Sequence, residues 1–182
     1  MINNYDTNKN SIIFLCGKPA SGKTTLSKKL VARYKNITTL SCDEHMLKTY
    51  GEILDKDEFD TKLNYTKDML YKKAMDLLDG GSNVILDFGF WTRAERESVK
   101  HKFKAYNTIF IYLNPNDKTL LEYVTKRNSN LQPHEYYMDE ETHKTLSSRF
   151  EEFSLDEPHL KYSSDNTLFN TLDSILKKQN RP

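Results

Sequence analysis

Five short apolar runs lie along the chain, and between them apolar residues recur at three- and four-residue intervals. Continuous apolar runs of this length read as buried strands, and the longer recurrence reads as amphipathic helix. Strands are predicted near 11–16, 37–42, 83–88, 107–113 and 159–163. Leu26, Leu30 and Tyr34 mark one face of a helix after the first strand. Phe59, Leu63, Leu70, Ala74, Leu77 and Leu78 mark a long helix that Gly80-Gly81 stops. Thr92-Arg93-Ala94-Glu95 has the form of a capping box. Asn114-Pro115 starts a helix over 116–128, and Asp139 opens one running to about 153. A tail helix near 166–179 turns Leu168, Leu172, Ile175 and Leu176 toward the sheet. Strands alternating with helices are the signature of a parallel sheet covered on both faces. The expected class is α/β, three layers around a five-stranded, mainly parallel sheet. No repeat, linker or composition break divides residues 1–182, so one domain is expected, with the polar residues 1–10 a flexible N-terminus.

Composition narrows the function classes more than it selects one. At 182 residues the chain can bury a substantial core. Its 27 Lys and Arg stand against 26 Asp and Glu, a net charge of +1. That balance gives no strong overall pull toward nucleic acid or an anionic membrane, although a local basic patch stays open. Residues 1–10 lack the apolar core of a signal peptide. No apolar run approaches the roughly 20 residues of a membrane span. Cys16 and Cys42 end predicted strands without metal-ligand spacing, as reduced core thiols of a cytoplasmic protein would. The five histidines show no i, i+4 pair and no cluster with cysteine, and read as surface or structural residues.

The chemistry begins where the first strand ends. Gly17-Lys18-Pro19-Ala20-Ser21-Gly22-Lys23-Thr24 has the form G-x-x-x-x-G-K-[ST] between a predicted strand and a predicted helix. Glycines at 17 and 22 let the backbone turn its N–H groups inward, and the following helix aims its positive dipole end at the same anion. Residues Gly17 to Thr24, with Thr25, are therefore expected to bind the phosphates of ATP or GTP. Lys23 would reach the β- and γ-phosphates, and the Thr24 hydroxyl would ligate Mg²⁺. In open parallel sheets, ligands bind outside the carboxyl ends of the strands. Val84-Ile85-Leu86-Asp87 ends a strand in a carboxylate placed to hold Mg²⁺ directly or through water. Asp43 follows the second strand, with Glu44 next to it. A hydroxyl acceptor is a poor nucleophile at neutral pH and gains from a carboxylate that takes its proton, a role that fits Asp43 with Glu44 as the alternative. Asp43 also fits the N-cap of a short helix over 44–50.

Cations and aromatics supply the remaining candidates. Phe88, Phe90 and Trp91 form an aromatic corner after Asp87, and Trp91 is a candidate wall of an acceptor pocket. Arg93 and Arg96 lie on one face of a predicted first helical turn. They would bind an anionic acceptor group, or pair with Glu95 and Glu97. Lys126-Arg127-Asn128 ends a helix before the polar stretch 129–133. Arg127 would close over the transferring phosphoryl group as a lid cation, with Arg149 a second candidate.

Taken together, the phosphate loop, Asp43, the segment Asp87 to Glu97 and Lys126-Arg127-Asn128 resemble small P-loop kinases that phosphorylate hydroxyl groups. That group includes the 5′-polynucleotide kinase domain, chloramphenicol phosphotransferase, zeta-toxin-like kinases and bacterial kinases of unassigned substrate. Arg149-Phe150-Glu151-Glu152-Phe153-Ser154-Leu155-Asp156-Glu157-Pro158 resembles the last set most. The resemblance covers roughly residues 11–176. It implies a P-loop NTPase fold with a small helical lid near 127–150, ATP and Mg²⁺ as cofactors, Asp43 as base and Arg127 as lid arginine. ATP over GTP is implied by the resemblance, and no guanine-reading Asn-Lys-x-Asp is present. Polynucleotide kinases place an Arg soon after the strand-two Asp and another in the lid, where this chain has Glu44-His45-Met46 and Asn130-Leu131-Gln132. The expected function is therefore γ-phosphoryl transfer to a hydroxyl of a small molecule. A polynucleotide 5′-hydroxyl kinase is the first alternative, and an ATP-binding regulatory module with slow hydrolysis the second.

Overall fold

Ser11–Cys16 (β1) is apolar from Ile12 to Cys16 and every residue in it is buried, so it must lie inside a sheet covered on both faces. In the computed structural model, which describes residues 5, 6, 8–51, 55–131, 137–162 and 166–176, it does. The other strands are Ile37–Ser41 (β2), Asn83–Gly89 (β3), Asn107–Tyr112 (β4) and Leu160–Lys161 (β5). Their order is β2-β3-β1-β4-β5, and all neighbours pair in parallel. The fold is the α/β P-loop NTPase fold. Helices are Lys23–Arg33 (α1), Cys42–Tyr50 (α2), Lys56–Asp79 (α3), Arg93–Lys102 (α4), Asp117–Asn128 (α5), Glu140–Ser147 (α6) and Thr167–Leu176 (α7).

Alternation along β1 divides the core in two. Ile12, Phe14 and Cys16 pack with Met46, Leu70, Ala74, Leu78, Val99 and Phe103 of α2, α3 and the α4 region. Ile13 and Leu15 face the other way, against Leu26 and Leu30 of α1 and Leu168, Leu172, Ile175 and Leu176 of α7. Cys16 and Cys42 are free and buried. Burial pushes both thiols up, Cys42 to about 12, so neither forms the reactive thiolate. Within the polar N-terminal segment, Asp6 and Asn107 exchange hydrogen bonds, while Asn10 donates to the Leu78 carbonyl. Residues 1–4 and 7 lie outside the described residues.

Several boundaries differ from the sequence expectation. The helix after β2 starts at Cys42, and its N-cap is Ser41, whose hydroxyl accepts from the Glu44 N–H. Asp43 is therefore not the cap. The helix opened by Asp139 stops at Ser147 instead of about 153. Beyond it Phe150 stacks on Tyr112 and Phe153 packs tilted against it, with centroids 5.7 and 5.0 Å away. The fifth strand is only Leu160–Lys161, at the sheet edge. The tail helix is described to Leu176, and the expected stretch 177–179 lies outside the described residues.

Candidate active site

The strand order carries the site. Placing β3 between β2 and β1 brings three strand ends side by side: Ser41 lies opposite Asp87, and β1 runs directly into residues 17–22. Between Phe14 and Cys16 the β1–β3 register slips by one residue, so Cys16 pairs with Gly89. Gly17 is required at the loop's start. A Cβ there would meet the Leu113 carbonyl oxygen at 2.5 Å and Ser21 Oγ at 2.7 Å. Gly22, at φ +94°, forms the N-cap of α1 without a side chain to occupy the first-turn amides. Ser41, Asp55, Thr92, Asn116 and Asp139 do occupy those amides on α2 to α6. Unoccupied N–H groups and the helix dipole make the α1 terminus suited to an anion. Lys23 Nζ donates to the Gly17 and Lys18 carbonyls at 3.0 and 2.9 Å and lies 3.4 Å from Ser21 Oγ. Lys18 reaches Asp117 at 3.4 Å on the surface.

Thr24 Oγ1 donates to Asp87 Oδ2 at 2.8 Å. A hydroxyl and a carboxylate held together are hard oxygen donors, which fits Mg²⁺ with its few protein ligands. Among the described residues no group of three or more His, Cys, Asp or Glu forms a metal cage. Asp87 is buried, and burial pushes its carboxyl up against the opposing influence of Lys23 and Thr24. Asp43 keeps solvent access, yet protein around it makes burial the largest influence on its carboxyl. The negative charge of Asp87 raises it further, while Lys23, Arg127 and Lys67 pull it down. Burial lowers Lys23, with Asp87 and Asp43 opposing. The structure thus brings Lys23, Asp43, Asp87 and Arg127 within reach of one another's charge. Glu44 is exposed on α2 beside them, and Thr25 is exposed on α1.

Lys67, whose charge reaches Asp43, is one residue that sequence reasoning did not single out. It stands on α3, and its Nζ donates to Glu95 Oε1 at 3.1 Å. Glu95 Oε2 meanwhile accepts the Trp91 and Thr92 N–H groups, completing the expected capping box. Nothing in the spacing of α3 distinguishes Lys67 from its other lysines; only packing against α4 does. Trp91 is half-buried after a reversed turn, with Gly89 at φ +88° and Phe90 at φ +45°. The indole lies where a Cβ on Gly89 would be.

Arg93 and Arg96 take up partners other than those expected. Arg96 is 2% exposed; it grips Glu157 through Nε at 2.8 Å and Nη2 at 3.1 Å and donates to the Glu151 carbonyl at 3.0 Å. Its guanidinium also lies 4.2 Å above the Phe153 ring. Arg93 pairs with Asp156 at 2.6 Å and with Ser154. Neither pairs with Glu95 or Glu97 in these contacts, and the expectation that they bind the acceptor fails for Arg96, whose donors are spent inside the protein. Both arginines instead fasten the segment 149–158 to α4. Arg149 is exposed at its start. Asn128, after Arg127, bonds the Met138 backbone in both directions, while residues 132–136 of the expected lid lie outside the described residues.

The AAA domain family profile matches residues 12–153. No curated protein matches the chain. Solved structures share its fold at low identity. A chain of the Pnkp1/Rnl/Hen1 RNA repair complex aligns over 91% of this chain and 55% of its own, with 18% identity and a TM-score of 0.66. Chaetomium thermophilum Kti12, in complex with ADP-AlF3, aligns over 92% and 96%, with 19% identity and a TM-score of 0.63. A gluconokinase from Sinorhizobium meliloti 1021 aligns over 94% and 91%, with 14% identity and a TM-score of 0.56. This chain spans about half the length of the RNA repair chain it matches. With the family profile covering most of the chain and the phosphate loop at its expected strand end, the protein belongs to the AAA domain family, on the P-loop fold of kinases.

Proposed function

We propose that this protein transfers the γ-phosphoryl group of ATP to a hydroxyl of a small molecule. The observation that carries this reading is Asp43: a carboxylate relieved of capping duty by Ser41, open to solvent and within reach of the charge of Lys23 in the phosphate loop. Its raised pKa suits a general base, which works best when its proton affinity approaches the working pH. The loop amides and Lys23 would hold the phosphates. Thr24 and Asp87 would hold Mg²⁺, which when bound neutralises charge on the phosphates. Asp43 takes the proton from the acceptor hydroxyl, the freed oxygen bonds to the γ-phosphorus, and the bond to the β–γ bridging oxygen breaks. Arg127, at the end of α5, stabilises charge on the transferring group. Trp91 and Glu44 remain candidates for acceptor contacts, and so does Arg93 where its surface pair opens. Binding of ADP-AlF3 by Kti12 on the same fold supports a nucleotide here.

The test follows labelled γ-phosphate from Mg·ATP onto panels of hydroxylated metabolites and antibiotics, and onto a 5′-hydroxyl oligonucleotide. Lys23→Ala should reduce transfer to background. Asp43→Asn should lower kcat by about 10²–10⁴ while leaving ATP binding intact. Near-normal turnover by Lys23→Ala sinks the site. Transfer to the oligonucleotide alone replaces the small acceptor with a polynucleotide, in line with the likeness to the RNA repair chain.

A further inference from the structure

One histidine touches the phosphate loop. His143 lies on the eight-residue α6 and is the only side chain that helix buries among the described residues. Its Nε2 stands 3.2 Å from the Pro19 carbonyl oxygen and 3.4 Å from the Oγ of Ser147, one turn further along. A carbonyl only accepts, so this contact requires the proton on Nε2. Burying an imidazole is unfavourable unless its polar atoms find partners, and leucine would serve simple packing better. At the one buried position of α6, the side chain is instead a directional donor aimed at a loop carbonyl.

The geometry of the peptide makes that carbonyl important. In a trans peptide the C=O and N–H point in opposite directions. Holding the Pro19 C=O against α6 therefore turns the Ala20 N–H away from α6. Ala20 has φ +60°, a left-handed conformation that a residue with a Cβ keeps only where its surroundings dictate. Pro19 has no N–H of its own, so the run of amides toward α1 begins at Ala20.

We propose that His143 is a positioning residue for the nucleotide. It locks the Pro19–Ala20 peptide so that the Ala20 N–H is presented to bound phosphate, and it ties α6 to occupancy of the loop. This rests on the phosphate-loop reading above. By linkage, a nucleotide that favours this loop conformation favours the docked α6 to the same degree. Because Asn128 and Met138 join the chain after Arg127 to the approach to α6, the same contact bears on where Arg127 stands.

The experiment is calorimetric titration of the whole chain with Mg·ADP, comparing wild type, His143→Leu and His143→Gln. Leucine keeps the bulk and removes the donor; glutamine restores an N–H within reach of the same carbonyl. His143→Leu should weaken ADP binding by about tenfold, the worth of one well-placed hydrogen bond, and His143→Gln should recover most of it. In parallel, nitrogen-15 spectra of the wild-type imidazole should show the proton on Nε2 with and without ADP. This second measurement can overturn the proposal even if the leucine variant does not fold. Equal affinity for wild type and His143→Leu, equal weakening by both variants, or a proton on Nδ1 overturns the proposal. A wild-type chain that does not bind ADP overturns the phosphate-loop reading, and this one with it.

Discussion

Asp43 shows how one backbone detail sets a residue's chemistry. Sequence alone allowed it to be a helix cap or a base, because Asp serves both uses at a strand-to-helix turn. Ser41 takes the cap, and Asp43 is left with a carboxylate that burial and Asp87 push up from its ordinary value of 3.8. The sign of the consequence can be worked out. A folded-state acid with a raised pKa binds more protons than the unfolded chain between the two values, so stability falls as pH rises through that window. In magnesium- and nucleotide-free buffer, Asp43→Asn should therefore melt higher than wild type at pH 7. The gain should shrink as pH falls toward the ordinary carboxyl value of 3.8 and vanish below it, where both states of the wild-type carboxyl are protonated. Melting curves across pH measure this directly; an asparagine variant less stable than wild type at pH 7 would mean that ionised Asp43 is held by favourable partners.

At the scale of elements, the helices and strands were legible because each carries its own signal. The β1 run, the Thr92–Glu95 box and the Asp139 cap are local, and they fall where periodicity and capping chemistry put them, whereas α5 is capped by Asn116 and begins one residue later than expected. The segment 149–158 was not legible. Its phenylalanines and acids look like a continued amphipathic helix, and only the folded molecule supplies Tyr112 for the rings and Arg93 and Arg96 for the acids. The segment also fixes the loop after β3, since the Glu151 N–H donates to the Trp91 carbonyl. Glu157→Gln would leave the Arg96 charge enclosed without its counter-charge, at a cost of about 3–5 kcal/mol. The melting temperature should fall by about 10 °C. Because the chain has a single Trp, intrinsic fluorescence reports Trp91 alone and should shift to the red as that loop loosens. Replacing the pair with apolar residues, Arg96→Met with Glu157→Leu, should recover most of the stability. An unchanged melting point for Glu157→Gln would show the pair to be dispensable.

For the whole molecule, the site is a property of strand order. Residues 17–24, 43 and 87 come together because β3 inserts between β2 and β1. A ligand held across that junction stabilises the entire domain by mass action, by about 2.7 kcal/mol at a hundred times Kd. Saturating Mg·ADP should raise the melting temperature by about 5–10 °C. Lys23→Ala should abolish the shift and Asp43→Asn should preserve it, as differential scanning fluorimetry would show; loss of the shift in Asp43→Asn would assign that carboxylate to metal or structure instead of proton transfer. The phosphate loop, the strand-ending carboxylates and the parallel sheet were determined by the sequence itself, because the turn chemistry of Gly17 and Gly22 and the periodicity of apolar residues act over a few neighbouring positions. Which arginines are consumed by ion pairs, and that Lys67 and His143 stand beside the site, were decided only by tertiary structure. Those outcomes depend on partners 28 to 124 residues away along the chain, as between Lys67 and Glu95 and between Pro19 and His143, and no local pattern encodes such a meeting.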